Sequence, residues 1–266
     1  MAEISFDGEI PRNYDRYLGP ILFAPYADDL AGRMLGGLGD VLELACGTGI
    51  LTRRLLDQLP PTARLVATDL SPAMLEYAEE QVGQSRRIRW QQADATALPF
   101  PDAAFDAVAC QFGVMFFPDK LAAMREVRRV LRPGGSFLFN VWSSLEDAEL
   151  SRVVDQALRE RFPDDPPGFL NLPHSYHQPE IIRATLEEVG FGDARIEWVE
   201  KVINGASPRD FATGTVTGSP IKMATQGRAE PGELIDMLAA RIARACGDPI
   251  RDVRLLALVV TASSGQ

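Results

Sequence analysis

Apolar residues in the first half of this chain follow two alternating patterns. Short, mostly apolar runs predict buried strands. Between them, apolar residues recur every three or four positions, as in helices that present one apolar stripe to a sheet. The runs lie at residues 41–46, 64–69, 87–92, 105–111 and 135–142. The stripes are Leu51, Leu55 and Leu59, then Leu121, Met124, Val127 and Leu131. This alternation favours βα units and a parallel sheet over a β-sandwich.

Local signals predict some helix ends, and the last third of the chain is less regular. Ser71 is a natural N-cap, and Pro72 suits the first helical position. Pro133, Gly134 and Gly135 predict that a helix stops before the fifth strand. Further helices are predicted at residues 146–161, 179–189 and 232–246, further strands at 194–203 and 252–262, and irregular segments at 162–177 and 204–231.

The charge balance of the chain argues against nucleic acid as a partner. The chain has 266 residues, and 46% of them are hydrophobic, which is enough for a sizeable core. Its 27 basic and 37 acidic residues give a net charge of −10, which opposes binding to a polyanion. The densest basic group lies at helical spacing and is interpreted as a solvated helix face. Its members are Arg125, Arg128, Arg129 and Arg132.

Cysteine usage and hydropathy exclude further classes. Cys46, Cys110 and Cys246 lack the spacing of metal ligands, so neither a metal site nor a disulfide framework is expected. No apolar run approaches the ~20 residues that span a bilayer, so no membrane association is expected. Residues 1–9 lack the basic and apolar regions of a secretory signal, which predicts a cytoplasmic protein.

The most informative segment is residues 41–49, an apolar strand that runs into a Gly-x-Gly turn. Gly47 and Gly49 allow the backbone to bend sharply and to approach a ligand closely. Asp69 closes the next strand about 20 residues later, where a carboxylate accepts hydrogen bonds from ribose hydroxyls. This pairing is typical of nucleoside binding.

The third glycine of the dinucleotide fingerprint is missing, since Thr52 occupies its position. A pyrophosphate is therefore not favoured. Glu43 lies four residues before Gly47, and its carboxylate would repel a diphosphate. These features favour a cofactor with an amino-acid end and no phosphate, such as S-adenosylmethionine.

Five blocks in order resemble the class I S-adenosylmethionine-dependent methyltransferases, in particular the small-molecule branch that includes quinone-biosynthesis-like enzymes. The blocks are residues 41–49, with the core Glu-x-Ala-Cys-Gly-Thr-Gly, then 67–75, 92–100, 105–108 and 126–135. The resemblance implies an α/β, Rossmann-like fold: a seven-stranded, mostly parallel sheet, the seventh strand antiparallel, with helices on both faces and an inserted helical and loop roof. Residues 1–266 would form one domain: an N-terminal cap segment (1–37), a cofactor-binding core (38–142), and a remainder (143–266) that completes the sheet and roofs the substrate.

The resemblance also implies a set of cofactor-binding residues. Residues near the glycine turn would hold the amino-acid part of the cofactor, Asp69 the ribose, and the residues after the second to fourth strands the adenine and the methionine side. The set, apart from an N-terminal tyrosine, is Glu43, Ala45, Gly47, Thr48, Gly49, Asp69, Leu70, Met74, Asp94, Ala95, Gln111 and Phe112. For Leu70 and Met74, ordinary core packing is the alternative.

Aromatic residues near the start of the chain form a second group of candidates. In related enzymes an N-terminal aromatic segment closes over the sulfonium, and an aromatic face attracts a cation. Tyr17 is the predicted cofactor contact, and Tyr14 is weighed beside it. Packing of a helix against the domain is the alternative role for both.

Candidates for catalysis are weak. His174 and His177 are the only histidines, and they lie in the irregular Pro-rich segment, so either is a candidate base or a structural loop residue. Related small-molecule enzymes often carry histidines after the fourth strand, where this chain has Phe116 and Phe117. Those phenylalanines are expected to line an apolar substrate pocket or to pack at the sheet edge.

The sequence therefore predicts transfer of a methyl group from S-adenosylmethionine to a small, partly apolar metabolite, with S-adenosylhomocysteine as product. Two alternatives stay open: a non-catalytic cofactor-binding or regulatory module of the same fold, and an NAD-dependent dehydrogenase, which Thr52 disfavours. The methyl acceptor, the atom methylated and the oligomeric state, monomer or homodimer, are not determined by the sequence.

Overall fold

The computed structural model describes residues 8–34 and 38–265. The ends of the predicted cap segment, residues 1–7 and 35–37, lie outside the described residues, as does most of the segment examined for a secretory signal. One seven-stranded sheet forms the centre of the described fold, with the strand order β3-β2-β1-β4-β5-β7-β6. Its strands are β1 (Asp40–Glu43), β2 (Arg64–Asp69), β3 (Ile88–Gln92), β4 (Phe105–Gln111), β5 (Leu131–Trp142), β6 (Arg195–Ile203) and β7 (Val253–Ser263).

The sheet is mostly parallel. Strand β1 pairs in parallel with both β2 and β4, while β7 is antiparallel to both β5 and β6. The predicted seven-stranded Rossmann-like sheet is thus confirmed. The chain moves outwards from β1 in one direction through β2 and β3, then in the other through β4 and β5. Such a switch opens a crevice at the carboxyl ends of the central strands, where ligands bind in open α/β sheets.

Helices connect and cover the strands. They are α1 (Ile10–Asn13), α2 (Ala24–Gly32), α3 (Ile50–Gln58), α4 (Pro72–Val82), α5 (Lys120–Val130), α6 (Glu149–Arg161), α7 (Pro179–Glu188), α8 (Pro208–Thr217), α9 (Ile221–Thr225) and α10 (Pro231–Cys246). Because β-helix-β crossovers are right-handed, the helices on the two sides of the switch lie on opposite faces of the sheet. Ser71 caps α4 as predicted, since its hydroxyl accepts a hydrogen bond from the Met74 amide (3.3 Å).

The N-terminal segment is one long helix with an unusual middle. Residues Tyr14–Phe23 form a π-helical segment that joins α1 to α2 and contains Pro20. Proline has no N–H to donate and widens or kinks a regular α-helix. The segment therefore has a different side-chain periodicity from the helices on either side.

Two sequence predictions need correction. Strand β5 starts at Leu131, directly after α5, so the Pro-Gly-Gly triplet lies inside the strand rather than before it. The triplet forms an irregularity, since the register with β4 shifts between Phe105 and Ala107 and Gly134 has φ +77°. Residues 204–231, predicted to be irregular, contain α8 and α9.

Close packing beneath the carboxyl edge of the sheet yields a stability prediction. A Cβ at Gly113 would lie 2.6 Å from the Cβ of Ala45 and 2.7 Å from the Sγ of Cys110. Overpacking of this kind costs about 1–3 kcal/mol, so Gly113→Ala should lower the free energy of unfolding by that amount. Urea denaturation at neutral pH measures the change.

The matched control is Gly32→Ala at the end of α2, where an added Cβ meets no atom of the described residues within 4 Å. This control should be neutral, or stabilise by about 0.4–1 kcal/mol through the unfolded chain. Equal effects of the two substitutions would contradict the packing described here.

Candidate active site

A cavity of about 1190 Å³ opens at the carboxyl ends of the strands. Its lining on the β1–β3 side includes residues at or just after strand ends. Among them are Ala45, Gly47, Asp69, Leu70, Ala93, Asp94 and Ala95. Residues of β4, β5 and β7, of α6 and of the segment before α7 line the other side, among them Gln111, Phe112, Trp142, Ser151, Leu255 and His174. The cavity therefore occupies the crevice that the topology predicts.

The turn after β1 adopts left-handed backbone conformations. Ala45, Gly47 and Gly49 have φ of +50°, +54° and +79°. A Cβ at Gly49 would also lie 2.9 Å from the Cγ2 of Val82, so a glycine permits the contact between this turn and α4. A left-handed non-glycine residue such as Ala45 is strained, and such strain is concentrated at functional sites.

Asp69 holds this turn from the neighbouring strand. Its Oδ2 accepts a hydrogen bond from the Gly47 amide (2.8 Å), and its Oδ1 accepts one from the Ser71 amide (2.9 Å). Burial raises the pKa of the Asp69 carboxyl, while the backbone hydrogen bonds act in the opposite direction. Asp69 also belongs to the cavity lining, so this residue both shapes the turn and borders the ligand space.

The Glu43 side chain lies outside the cavity lining, whereas the resemblance implies a contact with the cofactor. This side chain is buried and accepts a hydrogen bond at Oε2 from the Thr52 hydroxyl (2.7 Å). Burial raises the pKa of Glu43 to about 8. Thr52, which replaces the third glycine of the dinucleotide pattern, is thus the partner of this carboxyl group.

The N-terminal helical segment is attached to the turn through Asp15. Asp15 Oδ1 accepts hydrogen bonds from the Thr48 hydroxyl (3.0 Å) and from Arg53 Nη2 (3.1 Å). Its Oδ2 accepts one from the Tyr77 hydroxyl (3.4 Å). Thr48 is therefore buried beneath the segment, and neither Thr48 nor Gly49 lines the cavity.

Tyr14, rather than Tyr17, is the N-terminal tyrosine that lines the cavity. Its ring stacks on Phe23 with 4.7 Å between centroids, and burial raises the pKa of its hydroxyl. The Tyr17 ring lies under the Arg16 guanidinium (5.1 Å), and its Cβ packs close to Gly214 of α8. The position of Tyr17 does not support the predicted contact with the cofactor.

An aromatic cluster at the ends of β4 and β5 contributes Phe112 and Trp142 to the cavity lining. Phe112 and Trp142 stack with their ring centroids 3.8 Å apart, and Tyr26 meets both edge-on. Phe112 has φ +49° and donates its amide hydrogen bond to Asn140 Oδ1 (2.9 Å), which holds it in this strained conformation. Beside the cluster, the buried Oε1 of Gln111 has no hydrogen-bond partner among the described residues.

The roof of the cavity is made largely of apolar side chains. Phe116 and Phe169 lie nearly parallel, with 6.3 Å between centroids. Leu22, Leu170 and Met223 line the same region. Phe117 also belongs to the lining, so both phenylalanines after the fourth strand border the pocket. An apolar lining of this kind suits an apolar ligand.

The two histidines lie close together but differ in access. His174 lines the cavity, whereas His177 does not and directs its Nδ1 to the carbonyl oxygen of His174 (2.7 Å). The His174 ring is hydrogen-bonded on both nitrogens, to the Ser143 carbonyl oxygen (2.7 Å) and to Ser151 Oγ (3.1 Å). Burial is the main cause that lowers the pKa of His174.

The structure thus brings together most of the predicted site residues. Those that line the cavity are Ala45, Gly47, Asp69, Leu70, Met74, Asp94, Ala95, Gln111, Phe112 and His174. Those that do not are Tyr17, Glu43, Thr48, Gly49 and His177. Asp94 also stabilises its own turn, since its Oδ1 accepts hydrogen bonds from the amide and the hydroxyl of Thr96 (2.8 and 2.7 Å). Sequence reasoning missed Trp142, Lys120 and Ser151, because nothing in their local pattern distinguishes them from core or surface positions.

Residues 8–34 and 38–265 contain no group of three His, Cys, Asp or Glu side chains placed to hold a metal ion. The helices in the same residues are all too short or too polar to cross a bilayer.

Comparisons with known proteins agree with the geometry. Residues 41–135 match a family model described as a methyltransferase domain. The chain is 36% identical over 137 residues to the ubiquinone/menaquinone biosynthesis C-methyltransferase UbiE of Hahella chejuensis, an alignment that covers 50% of this chain and 54% of that protein. The chain therefore spans about half the length of the curated relatives it matches.

Solved structures share the fold at low sequence identity. A putative methyltransferase of Bacillus halodurans superposes with a TM-score of 0.58 and 20% identity, covering 92% of this chain and 99% of that one. Haemonchus contortus phosphoethanolamine N-methyltransferase 2, in complex with phosphomonomethylethanolamine and S-adenosylhomocysteine, gives a TM-score of 0.62 and 16% identity, covering 96% of this chain and 57% of that one. The family model over residues 41–135 and the C-methyltransferase relatives confirm the resemblance to class I small-molecule methyltransferases.

The buried Glu43 carboxyl predicts a specific pH dependence of stability. Its pKa is about 8 in the folded state and 4.5 ordinarily, so the folded protein binds this proton more tightly than the unfolded chain. Stability therefore falls as the pH rises through the window between these values. Glu43→Gln removes this loss, and the variant should gain on the order of 1 kcal/mol per pH unit relative to the wild type within the window.

Chemical denaturation of the ligand-free proteins at a series of pH values measures the difference. Glu80→Gln, at an exposed position on α4, is the matched control and should run parallel to the wild type. Parallel curves for Glu43→Gln as well would contradict the buried, proton-retaining carboxyl.

Proposed function

We propose that this protein is an S-adenosylmethionine-dependent methyltransferase that acts on a small, partly apolar metabolite. The observation that carries the proposal is the strand-end cavity, whose walls are the glycine turn, Asp69 and the residues after β2 to β4. The family match over residues 41–135 covers the same elements. The C-methyltransferase activity belongs to those relatives, and the proposal takes from them methyl transfer alone, not the atom that is methylated.

The residues present fit the cofactor. Leu70 is a large apolar side chain with 65% of its surface exposed beside the cavity, which suits a contact with the face of an adenine ring. Asp69 is a carboxylate acceptor for ribose hydroxyls. The unpartnered Gln111 Oε1 is an acceptor for an ammonium group such as that of the methionine moiety. Ala45 and Gly47 leave room for the chain between ribose and amino acid.

The cavity is larger than one ligand needs. Ligand pockets usually have about 300–1,000 Å³, so a volume of about 1190 Å³ leaves room for a second molecule beside the cofactor. We assign to this second molecule the part of the cavity lined by Phe116, Phe169, Met223, Ser151 and His174, which we call the acceptor half. An acceptor bound there would be largely surrounded by apolar surface.

The cofactor, when bound, supplies an activated methyl group, and its sulfur keeps the electron pair of the broken bond. The residues of this chain contribute alignment of the acceptor and exclusion of water. The Asp15 hydrogen bonds and the Tyr14–Phe23 stack hold the N-terminal segment over the cavity, which supports the second role.

Calorimetric titration with S-adenosylhomocysteine tests the cofactor assignment. The wild type should bind it with one site per chain and should not bind NAD. Leu70→Ala should weaken binding by about 1 kcal/mol, roughly fivefold, through loss of apolar contact. Asp69→Asn should weaken it by about 1.5–3 kcal/mol, because a charged hydrogen-bond acceptor is lost.

The control for Leu70→Ala is Val202→Ala, since Val202 is 51% exposed on β6 and does not line the cavity. It should leave the affinity unchanged. Binding of NAD in place of S-adenosylhomocysteine would support the dehydrogenase alternative and overturn the proposal. Binding of S-adenosylhomocysteine without methyl transfer to any small-molecule acceptor would favour the non-catalytic module.

A further inference from the structure

The acceptor half of the cavity contains few groups that can take up a proton. Lys120 already donates from Nζ to the carbonyl oxygens of Met115 (3.2 Å) and Phe117 (3.1 Å). Arg254 forms an ion pair with Glu200 (3.3 Å). Glu149 begins α6, and His174 faces the cavity from the roof. Of these side chains, His174 is the one whose hydrogen-bond partners determine which of its two ring nitrogens is protonated.

The hydrogen bonds determine the tautomer of His174. The Ser143 carbonyl oxygen can only accept, so Nδ1 at 2.7 Å from it must carry a proton. In the neutral ring Nε2 then has a free lone pair, and Ser151 Oγ lies 3.1 Å away as its donor. Ser143 follows directly after β5 and is held by its own amide hydrogen bond to Leu256 (3.0 Å), so the ring is anchored to the sheet.

Ser151 connects this lone pair to the ligand space. It lies in the first turn of α6 and lines the cavity together with His174. Its hydroxyl has one proton, which the His174 Nε2 accepts, and two lone pairs that stay available for a donor. A hydroxyl group on a molecule in the acceptor half is such a donor.

We propose that Ser151 and His174 form a proton-accepting pair for the hydroxyl group of the methyl acceptor, which makes the product a methyl ether. This inference rests on the proposed function and adds to it the atom that is methylated. Ser151 contacts the substrate, and His174 is a positioning residue that acts through Ser151.

In the proposed transfer each proton has a donor and an acceptor. The O–H bond of the acceptor breaks as its oxygen takes the methyl group, and its proton passes to Ser151 Oγ. The Oγ–H bond of Ser151 breaks in turn, and that proton forms a bond to His174 Nε2. The resulting imidazolium then releases one proton to water, so the enzyme returns to its initial state.

The surroundings of His174 keep the ring neutral and able to accept. Burial lowers its pKa, and the neighbouring His177 acts in the same direction, whereas the Ser143 hydrogen bond and Glu146 act against it. The other charged residues that line the cavity are Asp69, Asp94, Lys120, Glu149 and Arg254. Because the pKa lies below the ordinary value, the pair accepts protons at neutral pH and fails as the pH falls through that pKa.

The first experiment reads the tautomer without any substrate. Nitrogen-15 NMR of the histidine-labelled full-length protein gives two ring systems, since the chain has two histidines, and His177→Asn assigns them. The proposal predicts a neutral His174 ring with the proton on Nδ1 and a pKa below 6.5. Ser151→Ala should shift the Nε2 resonance, while Ser151→Thr, which keeps the hydroxyl, should not. A proton on Nε2 in the neutral ring would overturn the proposal.

The second experiment uses phenols of graded acidity as acceptors, with phenol at one extreme and 4-nitrophenol, which is already partly ionised at neutral pH, near the other. Product methyl ethers are measured at saturating S-adenosylmethionine. His174→Asn keeps an N–H donor at the place of Nδ1 and removes the accepting nitrogen. For phenol it should lower kcat by about 10²-fold or more, the usual size of general-base catalysis, with little change in KM. For 4-nitrophenol the loss should be small.

Controls separate this outcome from other failures. His177→Asn should behave as the wild type, and Ser151→Thr should retain more activity than Ser151→Ala. The decline of kcat at low pH should disappear in His174→Asn. Equal losses for all phenols would assign His174 a purely structural role and overturn the pair. If S-adenosylhomocysteine binds but no phenol is methylated, the hydroxyl acceptor is wrong while the cofactor assignment stands. If S-adenosylhomocysteine does not bind, the proposed function itself fails.

Discussion

The two amide hydrogen bonds to the Asp69 carboxylate are the interaction on which the site depends. They tie the turn after β1 to the end of β2 and to the start of α4, and thereby fix the mouth of the crevice. A parallel sheet with a switch at β1 leaves the ends of its central strands diverging, and the backbone there cannot continue as strand. The left-handed residues Ala45, Gly47 and Gly49 turn the backbone away from the strand direction. The Asp69 carboxylate accepts hydrogen bonds from amides that would otherwise be unpaired.

The N-terminal segment and the aromatic cluster complete the cavity from the other side. Asp15 links the segment to the Thr48 turn, to α3 through Arg53 and to α4 through Tyr77, so one carboxylate connects three elements. Phe112, held in a strained conformation by Asn140, stacks on Trp142 and receives Phe23 against its edge. Aromatic rings thus form a continuous part of the cavity wall beside the ends of β4 and β5.

The order and type of the sheet elements were predictable because alternating strand runs and helical stripes report burial directly. The position of Glu43 was not predictable, since its carboxyl group pairs with Thr52, nine residues away. The motif treats Thr52 only as a missing glycine. The sequence favoured Tyr17, whereas Tyr14 lines the cavity, because a π-helical segment with Pro20 inside changes which side chains share a face. Ser151 had no sequence signal at all, because its relation to His174 arises where the roof meets α6.

The central claim is that the strand-end cavity holds S-adenosylmethionine with its ribose against Asp69 and its methyl group facing the acceptor half. A crystal structure of the full chain with S-adenosylhomocysteine tests it most directly. The account predicts ribose hydroxyls on the Asp69 carboxylate, adenine against Leu70, the amino-acid end near Gln111, and open space beside the sulfur towards Ser151. A ligand bound elsewhere, or reversed so that adenine fills the space below Phe116 and Phe169, would contradict it.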